Sequence, residues 1–305
     1  MSILVQQLTK KYGEQTAVNQ LSFAIQQGEI VGFLGPNGAG KSTTMKMITG
    51  FLIPDEGNIE VDGVNVLENP TLAKSKIGYL PESNPLYYDM YVREYLTFIA
   101  EVHQVKEIKQ RVEEVIEMVG LTPESKKTIG QLSKGYKQRV GLGAALIHDP
   151  AVLILDEPTT GLDPNQIIEI REVIKQLGRT KTVLFSSHIL QEVEAICDRV
   201  VIINKGNLVA NDRLSHLRSE AGNRQVLKVS FKEALEAAWL ERLPAVTTVN
   251  KLSTHEWEVT STVLAEAQKQ IMHLAIENNL NIVQLQAGEL SLEDIFRQLT
   301  GSKPV

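Results

Sequence analysis

Cysteine is nearly absent from this 305-residue chain. The single Cys197, set in AICDRVVII, excludes an intrachain disulfide framework and a Cys-rich zinc centre. A basic excess is also lacking. The 31 Lys and Arg against 37 Asp and Glu leave a formal charge of -6, and no basic stripe runs through the sequence. Nucleic acid is therefore not the expected main partner. No window approaches the roughly 18 consecutive apolar residues of a membrane-spanning helix. The start, MSILVQQLTKKYGEQ, has no basic segment leading into an apolar run, so a secretory signal is not expected. Internal repeats, coiled-coil heptads and low-complexity tracts are missing too. These absences point to the cytosol, with any membrane contact made through a partner. What remains is 43% apolar and 22% charged residues, over a length that suits two domains.

Hydrophobic periodicity gives the expected order of elements. Ile3–Leu8 and the alternating Leu21, Phe23 and Ile25 read as strands, followed by a short apolar strand running into a glycine-rich loop and a helix. Ile59 with Val61, and Ile77–Leu80, read as further strands. From Val92 to Val119 the pattern turns helical, and Ile108, Val112, Val115, Ile116 and Val119 share one face. A helix is expected near Ser133. Val152–Leu155 is a wholly apolar strand of the kind buried on both sides. Asp163-Pro164 with Gln166 is a helix start, and TVLFSSH and DRVVIINKG read as two more strands. This alternation predicts an α/β domain with a largely parallel core over residues 1–215, including a helical subdomain near 85–150. A polar linker is expected at 216–223. Residues 224–305 read as β-α-β-β-α-β, a ferredoxin-like sandwich, with helices at KEALEAAWLERL and LAEAQKQIMHLAIENN and a last helix at SLEDIFRQL.

Two motifs carry chemistry. Gly35-Pro36-Asn37-Gly38-Ala39-Gly40-Lys41-Ser42-Thr43 matches the phosphate-binding loop G-x-x-x-x-G-K-[ST], placed after a strand and before a helix. Its glycines let successive N–H groups turn toward phosphate oxygens, and the helix start adds positive partial charge. Lys41 can reach the β- and γ-phosphates, and the Ser42 hydroxyl can ligate Mg²⁺. The second motif is the acidic strand end, Val-Leu-Ile-Leu-Asp156-Glu157. There Asp156 can hold Mg²⁺ through water and Glu157 can polarise an attacking water.

Together these residues resemble the nucleotide-binding subunit of an ABC transporter. Leu132-Ser133-Lys134-Gly135-Tyr136 resembles the family signature LSGGQ. It departs at Lys134 and Tyr136 and keeps Ser133 and Gly135. By resemblance, those two reach the γ-phosphate held by an opposite subunit. The resemblance also implies that Tyr12 stacks on adenine, that Asp163 lies in a loop crossing a dimer interface, and that His188 contacts the γ-phosphate. Glu82 stands where the family usually has glutamine. An ionised glutamate accepts hydrogen bonds and serves Mg²⁺ but does not donate to phosphate. The stretch Glu82–Tyr95 most resembles the gliding-motility-associated ABC transporters of Bacteroidetes.

The resemblance implies a P-loop ATPase working as a head-to-tail dimer with ATP and Mg²⁺, most simply a homodimer. Its partner would be a separate multi-span permease, contacted near Tyr87, Tyr88, Tyr91 and Tyr95, at the cytoplasmic face of the inner membrane. Two other readings stay open. One is a soluble ABC ATPase acting on ribosomes or nucleic acid. The other is a nucleotide-dependent scaffold without turnover.

Overall fold

A computed structural model describes residues 1–221, 225–261, 263–288, 295–296 and 299–300. The chain divides into two units, Met1–Arg213 and Leu214–Val305. The first unit opens with β1 (Ile3–Tyr12), β2 (Gln15–Ile25), β3 (Ile30–Leu34) and α1 (Lys41–Ile48). Next come β4 (Glu56–Val61), β5 (Val64–Asn65), α2 (Pro70–Ser75) and β6 (Ile77–Leu80). A helical region follows, with α3 (Val92–Val102), α4 (Ile108–Met118), two short 3-10 turns and α5 (Lys134–Leu146). The unit returns through β7 (Val152–Asp156), α6 (Pro164–Gly178), β8 (Thr182–Ser186), α7 (Leu190–Ile196), β9 (Arg199–Asn204) and β10 (Asn207–Arg213).

Two sheets build this unit. The antiparallel one has the order β2-β1-β4-β5, and the six-stranded one β10-β9-β3-β8-β7-β6. Apart from the antiparallel edge strand β10, neighbours in the second sheet run parallel. Every residue of β7 and β8 is buried, as their unbroken apolar runs require of strands covered on both faces. Full burial of an aliphatic side chain such as Ile154 stabilises the fold by about 1.5–3 kcal/mol. Because β3, β8, β7 and β6 are parallel neighbours, the segments that follow them all leave from the same edge. That edge is where open parallel sheets place ligands.

Helix starts follow their capping chemistry. Ser133 caps α5 by accepting from the Tyr136 N–H at 3.4 Å. Asp163 caps α6 by accepting from the Gln166 N–H at 3.0 Å, with Pro164 in the first turn. The expected helical span near 92–119 is two helices. The left-handed backbone at Gln104 and Glu107 breaks it, a conformation that does not continue a right-handed helix.

The second unit contains α8 (Leu214–Ala221), β11 (Gln225–Phe231), α9 (Ala237–Glu241), β12 (Val246–Lys251), β13 (Glu256–Ser261), α10 (Leu264–Glu277) and β14 (Ile282–Gly288). Its strands pair antiparallel in the order β12-β13-β11-β14, the arrangement of a ferredoxin-like sandwich. Leu227, Val229, Phe231, Trp257, Val259 and Ile271 pack together in its core.

Two sequence expectations are corrected here. The linker placed at 216–223 is helical through Ala221, because Leu214 and Leu217 are both buried and local polarity does not outweigh that packing. The helix placed over KEALEAAWLERL shrinks to Ala237–Glu241, with Leu235 and Leu240 holding it to the core. Most of the expected last helix, SLEDIFRQL, lies outside the described residues.

Candidate active site

The edge described above carries a cavity of about 560 Å³. It is lined by Asn37–Thr43, Glu82, Glu157, Thr160 and His188, with Tyr12, Gln15 and Ala17 contributed by the antiparallel sheet. The phosphate loop after β3 winds tightly because Gly38 (φ +76°) and Gly40 (φ +103°) take left-handed backbone conformations. Lys41 begins α1 with only 8% of its surface exposed, and its ammonium donates to the Gly35 carbonyl at 2.7 Å and the Pro36 carbonyl at 3.3 Å. Burial holds its pKa below the ordinary lysine value, while the nearby Glu157, Asp156 and Glu82 carboxylates oppose that shift. A cation is thus held among three acidic groups at the mouth of a helix.

The acidic strand end is tied to its neighbour. Asp156 pairs in register with Ser186 across β7 and β8, and the Ser186 hydroxyl donates to Asp156 Oδ1 at 2.6 Å. The same hydroxyl accepts from the Glu157 N–H at 2.9 Å. Glu157 has a left-handed backbone, φ +50°, a strained state of order 1–3 kcal/mol for a residue other than glycine. The turn swings the Glu157 carboxylate into the cavity, where its Oε2 lies 2.7 Å from His188 Nδ1 and accepts from Thr160 Oγ1 at 3.2 Å. Tyr12 stands at the rim, 52% exposed, with Lys10 Nζ 5.9 Å from its ring centre.

Ser133, Gly135 and Asp163 are not among the residues lining this cavity. Ser133 and Asp163 are exposed at the starts of α5 and α6, and Gly135 is buried beside them against Gln166. A Cβ on Gly135 would fall 2.6 Å from Gln166 Cδ, and Gly161 sits against the Lys134 side chain. The cavity therefore gathers the phosphate loop, Tyr12, Glu82, Glu157 and His188 but leaves the serine-glycine motif elsewhere. Sequence reasoning missed Ser186, Thr160, Gln15 and Ala17. The hydroxyls in SSH and PTT beside the two motifs were the available signal for the first pair. The second pair depends on sheet packing.

A model of the ABC transporter domain matches residues 18–160, and one of the DrrA1-3-like ATP-binding protein C-terminal domain matches residues 213–300. The linearmycin resistance ATP-binding protein LnrL of Bacillus subtilis is 38% identical over 301 residues, covering 96% of each chain. The chain belongs to the ABC transporter ATP-binding proteins. As an ABC ATPase, it is also similar to the bacitracin transport ATP-binding protein BcrA of Bacillus licheniformis. That relative is 37% identical, over 96% of this chain and 95% of its own. Among solved structures, a dimeric bacterial ABC transporter cassette superposes with a TM-score of 0.64 at 26% identity, over 70% of this ABC ATPase and 98% of the cassette. No helix among the described residues of the ABC ATPase is long and apolar enough to cross a membrane.

Proposed function

We propose that this ABC ATPase hydrolyses ATP at two composite sites in a head-to-tail dimer and so powers a separate membrane permease, as an exporter. In each site one protomer holds ATP with the phosphate loop, Lys41, Ser42 and Tyr12. The partner brings up its own serine-glycine motif, with the Asp163 loop crossing between them. The observation carrying this reading is the separation of the cavity from the surface around Ser133, Gly135 and Asp163. A chain with both halves on distinct surfaces completes them by stacking against a second copy.

Mg²⁺ fits the donor set. Ser42 and Glu82 line the cavity, Asp156 lies close enough to act on Lys41, and all are hard oxygen donors. Among the described residues no cluster of three acidic, histidine or cysteine side chains forms a cage, which suits an ion held partly by substrate phosphates and water. Bound there, it would neutralise charge on the β- and γ-phosphates. Glu157 orients the attacking water and draws on its proton, and the hydrogen bond to His188 fixes the carboxylate. Lys41 stabilises charge on the transferred phosphoryl group. Once phosphate leaves, the contacts of Ser133 and Gly135 to it are lost and the dimer opens.

For the permease, support comes from a second cavity of about 570 Å³ lined by Lys46, Phe51, Lys74, Ile99, His103 and others. Phe51 is 79% exposed, and Tyr87, Tyr88 and Tyr91 are each more than half exposed. Exposed aromatic groups of this kind favour protein contact. Tyr95, expected to join them, is buried at 6% exposure and packs edge-on against Tyr87. On this reading the ABC ATPase works at the cytoplasmic face of the inner membrane, held there by the permease. The narrower assignment to gliding motility rests on the Glu82–Tyr95 stretch. Loss of gliding in a deletion strain, restored by the wild-type chain, is the result it requires.

The composite site is tested by complementation. Lys41→Ala and Ser133→Glu each disable every site of their own homodimer. Mixed one to one, half the dimers carry one intact site, so about a quarter of the wild-type ATPase rate returns. A mixture as inactive as its components overturns the two-chain site.

A further inference from the structure

Three rungs lace the end of β7 and the loop after it to the end of β8 and its loop. Ser186 bonds Asp156 at 2.6 Å, and His188 bonds Glu157 at 2.7 Å. The intervening pair, Ser187 and Thr159, is joined through a third side chain. Thr159 Oγ1 donates to Glu192 Oε2 at 2.5 Å, and Ser187 Oγ donates to the same oxygen at 2.9 Å. The Ser187 hydroxyl in turn accepts from the Ile189 N–H at 3.0 Å, which commits its own proton to Glu192. Glu192 belongs to α7 and is fully buried at 0% exposure. Its nearest cation is Arg171 of α6, with an amino nitrogen 3.9 Å from Oε1.

A buried carboxylate is costly unless its acceptors are used. Here Oε2 takes hydroxyls from two loops, the Thr159 one at a distance typical of a strong charge-assisted bond, while Oε1 has no hydrogen-bond partner among the described residues. Thr159 stands between Glu157 and Thr160, both in the cavity, and Ser187 immediately precedes His188. We propose that Glu192 is a positioning residue for hydrolysis, holding the Glu157 and His188 loops at the separation that keeps their side chains paired. It touches no reacting atom and acts through Thr159 and Ser187. The proposal rests on the reading that Glu157 and His188 serve ATP hydrolysis.

The test compares Glu192→Ala, Thr159→Val, Ser187→Ala, the Glu192→Ala/Thr159→Val double variant and Glu157→Gln in the full-length protein. ATPase kcat and KM, equilibrium binding of ATP and thermal unfolding are measured for each. Glu192→Ala lowers kcat by about 10- to 100-fold, the loss expected when reacting groups drift by about 1 Å. Its ATP affinity stays within about threefold of wild type, because the phosphate loop is untouched. Each hydroxyl variant shows a smaller loss of kcat. Thr159→Val adds nothing on top of Glu192→Ala, since both break the same bridge. A folded Glu192→Ala protein with wild-type kcat overturns the proposal, as do additive losses in the double variant. If Glu192→Ala does not fold, wild-type kcat in both hydroxyl variants overturns it equally. Wild-type turnover in Glu157→Gln would instead overturn the underlying reading of the cavity.

Discussion

Replacing Gly40 with alanine tests whether the phosphate loop depends on the close approach seen at its last glycine. Gly40 precedes α1 with φ +103° and ψ 7°, a conformation costing an alanine about 1–3 kcal/mol. An added Cβ would also sit 2.5 Å from the Ala17 carbonyl oxygen and 3.3 Å from Val18 Cγ2. The first neighbour is backbone of β2 and cannot rotate away, so overpacking adds about 1–3 kcal/mol. Gly40→Ala should therefore cost about 2–6 kcal/mol, a large part of a typical stability of about 5–15 kcal/mol. Gly38 is the control. Its φ is +76°, and a Cβ there meets nothing within 4 Å, so Gly38→Ala carries the backbone term alone. Urea unfolding should be followed by far-UV circular dichroism, because both tryptophans, Trp239 and Trp257, lie in the second unit. The Gly40 variant should also lose ATP affinity by more than the Gly38 variant, since relief of the clash moves the N–H groups at the start of α1. Equal destabilisation by the two substitutions, or wild-type ATP binding by Gly40→Ala, refutes the reasoning.

His148 supplies a pH dependence. Burial, reinforced by the stacked His103 ring and opposed by a contact with the Ile77 carbonyl, lowers its pKa from 6.5 to about 4. The unfolded chain then takes up a proton that the folded chain refuses. The stability contributed is complete above the unfolded pKa and is lost as pH falls toward about 4. His148→Gln should flatten that decline when urea midpoints are compared near pH 7.5 and pH 5, and an unchanged slope contradicts the assignment. Tyr12→Ala should weaken ATP binding about tenfold, within the range for loss of one base–aromatic stack. Tyr12→Phe should restore the affinity, and a wild-type dissociation constant in the alanine variant removes Tyr12 from the site.

Legibility in the sequence followed the range of the interaction. Apolar runs at Val152–Leu155 and Thr182–Phe185 announced buried strands because strand burial writes itself into consecutive residues. Asp163-Pro164 with Gln166 announced α6, because a cap uses neighbours three residues apart. Polar residues around 216–221 misled, because the burial of Leu214 and Leu217 depends on packing that no local window contains.

The phosphate loop and acidic strand end could be read from the chain alone, since each is a contiguous run whose chemistry follows from residue type and spacing. Tertiary structure decided which of them meet. Parallel pairing of β3, β8 and β7 brought Lys41, Glu157 and His188 to one edge, while the starts of α5 and α6 carried Ser133 and Asp163 to another surface. The bridge from Thr159 through Glu192 to Ser187 joins residues up to 33 positions apart. The physical reason is that hydrogen bonding and charge act over a few ångströms of space, and the fold alone sets which distant residues come within that distance.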